Sequence, residues 1–166
     1  MDLCVLGPDD AAQMESMLSL FGRAFDDLDH YDKSRPSPAY LAGLLGSPNF
    51  VAVAAIQDGC VVGGLAAYVL PKFEQARSEI YIYDLAVDEP FRRRGIATSL
   101  INKLRGVAAE RGAWVIFVQA DPDDAPAVEL YSKLGVRHDV LHFDVAPLRL
   151  GAGRAEPGAA PDAGHP

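Results

Sequence analysis

Cysteine is scarce in this 166-residue chain: Cys4 and Cys60 stand far apart with no Cys-x-x-Cys pair, so neither a disulfide framework nor a zinc site is indicated. The four histidines, His30, His138, His142 and His165, show no metal-ligand spacing, and no metal is expected. Positive charge is also in deficit. The 15 Lys and Arg against 23 Asp and Glu leave a net charge of -8, which argues against nucleic acid as a partner because phosphate neutralisation needs a basic surface. A cationic small molecule suits that charge better. Long hydrophobic runs are missing. The longest, residues 61–70, is too short to span a bilayer, and the start Met1-Asp2-Leu3 lacks a basic leader; a cytoplasmic protein with no membrane partner is expected. The loops Gly-x-Gly-x-x-Gly and Gly-x4-Gly-Lys-[Ser/Thr] are absent as well, which removes the usual nucleotide-binding signatures.

What the chain does have is the run Arg92-Arg93-Arg94-Gly95-Ile96-Ala97, set between a predicted strand ending at Val87 and a predicted helix reaching Arg111. A Gly-bearing turn that opens a helix aims free backbone N–H groups, the positive end of the helix dipole and here three arginines at one point. That arrangement suits a pyrophosphate. The alternative is a basic helix start whose arginines are merely solvated.

Apolar residues at helical spacing predict a helix over residues 8–25, followed by a polar, acid-rich stretch to residue 37 and a shorter helix from Pro38 to Gly46. Residues 50–56 and 61–70 read as a hairpin about Asp58-Gly59. A strand over 79–87, a helix over 96–111 and a strand over 114–119 form a crossover unit. A helix over 125–134 and closing strands over 136–145 complete the pattern. The reading is one domain over residues 1–146 and a Gly/Pro/Ala-rich tail, 147–166, expected to be disordered. The fold class is α/β: one mixed sheet, antiparallel at its start and parallel at the crossover, with helices on both faces.

That order of elements resembles the GNAT superfamily of acetyl-CoA-dependent N-acetyltransferases. Closer still, residues 20–25 (Leu-Phe-Gly-Arg-Ala-Phe), 65–75 (Leu-Ala-Ala-Tyr-Val-Leu-Pro-Lys-Phe-Glu-Gln), 78–87 (Ser-Glu-Ile-Tyr-Ile-Tyr-Asp-Leu-Ala-Val), 94–98 and 118–121 are similar to the GNAT-type aminoglycoside 3-N-acetyltransferases of the gentamicin and fortimicin resistance group. The resemblance spans residues 6–144. It implies a GNAT fold whose central strands splay, with acetyl-CoA as cofactor: Leu85, Ala86 and Val87 beside the pantetheine, and Arg92, Arg93, Arg94, Gly95, Ile96, Ala97 and Thr98 around the pyrophosphate. A free bulge N–H would polarise the thioester carbonyl. It implies further that Asp84 handles the substrate amine, that Tyr131 donates to the departing thiolate, and that a homodimer is common.

Carboxylates are natural partners for a polyammonium sugar. The candidates are Asp26, Asp27, Glu74, Glu79, Asp121, Asp123 and Asp124, with Phe25 and Tyr83 as apolar wall. Core packing explains Phe25 and Tyr83 nearly as well; the alternative for Tyr131 is a core tyrosine and for Asp84 a residue that caps the bulge. The stretch Asp32-Lys33-Ser34-Arg35 departs from the group's pattern by adding positive charge, which would narrow the substrates accepted. Neither cysteine has a nearby histidine, so direct transfer in a ternary complex is expected rather than an acetyl-enzyme. Two other readings stay open: acetylation of polyamines or protein amines, and a non-catalytic acetyl-CoA sensor.

Overall fold

In chain order the regular elements are β1 (Asp2–Val5), α1 (Ala11–Ala24), α2 (Leu28–Asp32), α3 (Pro38–Leu45), β2 (Phe50–Gln57), β3 (Cys60–Pro71), β4 (Ser78–Val87), α4 (Ile96–Glu110), β5 (Ala113–Val118) and α5 (Ala125–Ser132). They come from a computed structural model that describes residues 1–33 and 35–148. Ser34 and residues 149–166, most of the expected tail, lie outside the described residues. The described chain falls into two units, Met1–Asp121 and Pro122–Pro166.

The first unit is a five-stranded sheet in sequential order, antiparallel from β1 to β4 and parallel between β4 and β5. Asp58 and Gly59 take φ of 52° and 78° between β2 and β3, the left-handed pair that a two-residue hairpin requires. Adjacent residues on β3 report which helix covers which face. A Cβ on Gly64 would run into Met17 and Phe21 of α1, whereas one on Gly63 would meet Ile96 and Leu100 of α4. Helices therefore lie on both faces of one mixed sheet. On the α1 side Met17, Leu20 and Phe21 pack with Leu41 and Leu45 of α3 onto Phe50, Ala52, Ala54, Ala66 and Ala86. Alanines on the sheet leave room for the large helix side chains. Each large side chain buried there contributes about 1.5–3 kcal/mol.

One irregularity positions the site. Ala67 opposes Ile82 and Ala66 opposes Asp84, so Tyr83 is an extra residue in β4. Opposed residues share a face of a sheet. Ile80 and Ile82 therefore look toward α4 with Ala67, and the bulge turns Asp84 over to the α1 face with Ala66.

Three sequence expectations change. The predicted helix over 8–25 opens with a 3-10 turn at Pro8–Asp10 before α1. The polar stretch after α1 contains α2, whose first turn is capped by Asp27 accepting from the His30 amide at 3.0 Å. The closing strands predicted over 136–145 are absent: among the described residues of the second unit α5 is the regular element. The ion pairs of that segment are between neighbours two apart, Arg137–Asp139 at 2.8 Å and His142–Asp144 at 3.1 Å. Without a ladder partner an apolar segment is not a strand. β1 pairs Cys4 with Ala54 and is too short for its period to show in the sequence.

Gly64→Ala should destabilise the protein by about 1–3 kcal/mol, because the new Cβ would overlap the side chain of Met17, which is fully buried. Urea unfolding measures it; a midpoint equal to that of the parent would refute the close packing of α1 on β3.

Candidate active site

α4 begins at Gly95, whose φ is 78°, two residues after Arg93 at 63°. Left-handed residues flanking Arg94 curl the backbone so that successive N–H groups point the same way and form an anion nest. Gly95 has no side chain with which to cap, and the helix ladder starts with the Ser99 amide donating to the Gly95 carbonyl at 3.0 Å. The N–H groups of Ile96, Ala97 and Thr98 are thus first-turn donors at the positive end of a 15-residue helix. Ile96, only 3% exposed, anchors the turn on the core. Arg92 Nε donates to the Val87 carbonyl at 3.0 Å and ties the loop to the end of β4. The Arg94 guanidinium lies 5.3 Å from the Phe91 ring centre.

A second feature leads into that nest. β5 pairs with β4 only as far as Ile82 and Val118, while β3 stays paired with β4 through Val87. From Tyr83 to Val87, β4 therefore has, among the described residues, a strand on one side and none on the other. Leu85, Ala86 and Val87 offer a ladder edge to any extended, amide-bearing arm. An arm of that kind ending in a diphosphate, as in acetyl-CoA, fits both features in the order in which the chain presents them.

Where the strands part stands Asp84, 8% exposed and the buried charged residue among the described core positions. The Tyr31 hydroxyl donates to it, 3.2 Å from each carboxylate oxygen. Burial pushes Asp84 up from 3.8 to about 6, while the Tyr31 hydrogen bond and the charge of nearby His30 pull it down. Burial wins because a neutral hydroxyl replaces only part of the hydration that a carboxylate loses. Among the described residues no Lys or Arg pairs with it. Aromatic rings surround the position: Tyr31 lies 5.9 Å from Phe25, Tyr83 lies 5.6 Å from Tyr68 and 5.8 Å from Tyr81, and Tyr81 stacks on Phe117 at 5.0 Å. Beside Tyr31 a cavity of about 440 Å³ is lined by Leu18, Asp29, His30, Tyr31 and Pro36.

The sequence candidates are placed unequally. Phe25 caps the end of α1 in this aromatic group, and Tyr83 is the half-exposed bulge residue. Asp26, at φ 55°, and Asp27 line a smaller hollow with Leu28 and Asp29. Glu74 and Glu79 are taken up by Lys72 at 3.1 and 3.4 Å. Asp121 ends the first unit. Asp123 and Asp124 belong to the second, where Asp124 caps α5 by accepting from the Ala127 amide at 3.1 Å. Tyr131, on α5, is pushed up to about 12 by burial and by Asp124. Of the added positive charges, Lys33 is paired with Asp29 at 2.5 Å and Arg35 donates to Ser19. Sequence reasoning missed Tyr31 and His30. The signal was Leu28 and Tyr31 three apart behind a capping Asp, hidden in a run of charged residues.

The Acetyltransferase (GNAT) family matches residues 14–136. An aminoglycoside acetyltransferase, HMB0005, from an uncultured soil metagenomic sample is 57% identical, covering 88% of this chain and 97% of that one with a TM-score of 0.86. Another from such a sample, meta-AAC0020 in complex with sisomicin, is 30% identical over 88% of this chain and 95% of that one, with a TM-score of 0.80. An N-alpha-acetyltransferase of Saccharolobus solfataricus is 31% identical over 94 residues, 50% of this chain and 54% of that protein. The chain spans about half the length, or less, of the curated relatives it matches. With a splayed β4 edge leading to the nest at Gly95, the chain belongs to the GNAT family of acetyltransferases, which use acetyl-CoA.

Proposed function

We propose that this protein is an aminoglycoside 3-N-acetyltransferase that moves an acetyl group directly to the 3-amino group of the deoxystreptamine ring in a ternary complex. It would thereby confer resistance to gentamicin-type antibiotics in the cytoplasm. The observation that carries the reading is Asp84, a buried carboxylate at the mouth of the strand opening with a hydroxyl donor and, among the described residues, no Lys or Arg partner. An ammonium group supplies the missing charge and the missing N–H donors at once. Kinship with a 57% identical aminoglycoside acetyltransferase, and with one bound to sisomicin, supports the sugar as its bearer.

In this reading the β4 edge at Leu85–Val87 and the nest at Arg92–Thr98 hold acetyl-CoA, which supplies an activated thioester. Asp84, ionised above about pH 6, aligns the amine and accepts its proton. The backbone amide left out of the ladder at the bulge stabilises the developing oxyanion. Tyr131, protonated at working pH because its pKa lies near 12, donates to the leaving sulfur. Rings at Phe25, Tyr68 and Tyr83 line the approach, where a cation is attracted to their faces. Acidic Asp26, Asp27, Asp121, Asp123 and Asp124 draw the polycation in. Holding amine and thioester together supplies much of the rate.

CoA release measured with gentamicin, fortimicin, kanamycin and spermidine, with NMR of the product, tests the reading. Acetyl on the 3-amino group of gentamicin is expected; turnover of spermidine alone, or none at all, would refute it. Gly95→Ala should weaken acetyl-CoA about tenfold, since a Cβ in the left-handed region costs about 1–2 kcal/mol and the loop relaxes at the expense of the nest. Calorimetric titration of acetyl-CoA decides that point.

Asp84→Asn should lower kcat/KM about 100-fold or more while raising stability. The folded protein binds the Asp84 proton more tightly than the unfolded chain, so stability falls as pH rises from 3.8 through about 6 and stays lower above it. The melting-temperature advantage of the Asn variant should therefore be large at neutral pH and vanish near the acid end. A gap independent of pH would contradict the burial account.

A further inference from the structure

The Tyr31 hydroxyl reaches Asp84 from α2, an element to which the chemistry so far gives no part. It stands 3.2 Å from both Oδ1 and Oδ2, so one O–H straddles the carboxylate instead of choosing an oxygen. A ring held in place can do this. Phe21 lies 6.1 Å, Phe25 5.9 Å and His30 5.1 Å from it, centre to centre. α1 is shaped to admit α2: a Cβ on Gly22 would come within 3.1 Å of the Tyr31 Cβ and 3.4 Å of a Leu28 methyl. The Asp27 amide, donating to the Gly22 carbonyl at 3.0 Å, fixes the chain at the same point. Tyr31 itself is no proton acceptor. Burial first, and the adjacent Asp84 second, hold its hydroxyl well above the usual 10, so it remains a donor at every working pH.

We propose that Tyr31 is a positioning residue for acetyl transfer, its bridging hydroxyl fixing the Asp84 carboxylate in the orientation that meets the substrate amine. The inference rests on the reading of Asp84 given above. One donor shared by two oxygens sets the plane of the carboxylate and leaves lone pairs on both for N–H groups arriving from the cleft. The groups facing Asp84 are Tyr31 and His30 from α2, Tyr68 from β3 and Tyr81 from β4. Of these, the Tyr31 hydroxyl and a protonated His30 favour the ionised carboxylate, and the tyrosines of β3 and β4 do not donate to it.

The test is the pH dependence of kcat/KM with gentamicin, together with the KM for acetyl-CoA, in Tyr31→Phe, Gly22→Ala and Asp84→Asn. Removing a hydrogen bond to the charged form should move the acid limb of Tyr31→Phe up by about one pH unit, a tenfold loss below the limb, with the acetyl-CoA KM within about twofold of the parent. Gly22→Ala keeps the hydroxyl but pushes α2 by a few tenths of an ångström, and should shift the limb in the same direction. If Tyr31→Phe does not fold, Gly22→Ala alone decides: a shifted limb supports the role and a parental limb overturns it. A parental limb and rate in Tyr31→Phe, with Asp84→Asn inactive, would overturn the positioning role alone. Full turnover in Asp84→Asn would instead overturn the reading of Asp84 on which it stands.

Discussion

Because Tyr83 is one residue more than β3 can pair, β4 changes face at that point, and a carboxylate that alternation would turn toward α4 emerges instead beneath α1 and α2. At the same place β5 stops following β4. The two events need each other. A bulge increases local twist, and a strand that twists away from its parallel neighbour frees the ladder groups from Tyr83 to Val87. One inserted residue thus aims the acid at the place where the edge opens. The nest at Arg93 and Gly95 lies within ten residues of the opened edge because a short 3-10 turn, Glu89–Phe91, is all that separates β4 from the loop.

The position of Asp84 runs against stability. A carboxylate held near pH 6 by burial is ionised at neutral pH at the expense of the folded state, and a surrounding hydrophobic cluster as well packed as that of Met17, Leu20 and Phe21 is what tolerates it. The surroundings answer the charge with weak polar contacts. Tyr31 gives a shared hydrogen bond, and His30 gives a field when protonated. A lysine or arginine in their place would neutralise Asp84 and, in the proposed mechanism, remove its demand for an incoming ammonium.

How much of this was legible in the sequence differs by element. The turn that opens α4 announced itself because Gly95 stands where strand meets helix, and it takes the left-handed φ of 78°. The hairpin announced itself through Asp58-Gly59, and Asp84 because it interrupts Ile, Tyr, Leu and Val. Long periodic segments such as α1 and α4 were legible for the same reason. The bulge was not readable as such, since an acid that breaks the run of Ile80 and Ile82 does not say which residue is the extra one; the family resemblance alone implied it. α2 was invisible because five residues complete little more than one helical turn and only Leu28 and Tyr31 among them are apolar enough to mark a face. The segment 136–145 misled in the opposite way, read as closing strands while the structure gives it no strand partner among the described residues.

The acidic balance takes on a narrower meaning once each carboxylate is followed to its partner. Asp27 and Asp124 cap helices. Glu74 and Glu79 hold Lys72, Asp29 holds Lys33, and Asp88 holds Arg23. Exposed pairs of this kind contribute little energy and are screened by salt, so they shape loops more than they attract ligands. A net charge of -8 raises the local concentration of a polycation without choosing among its amines. In the proposed mechanism the choice falls to Asp84, which is buried and, among the described residues, has no Lys or Arg partner: an ammonium with the right reach meets it beside the opened strand, and one with the wrong reach leaves it with the Tyr31 hydroxyl alone.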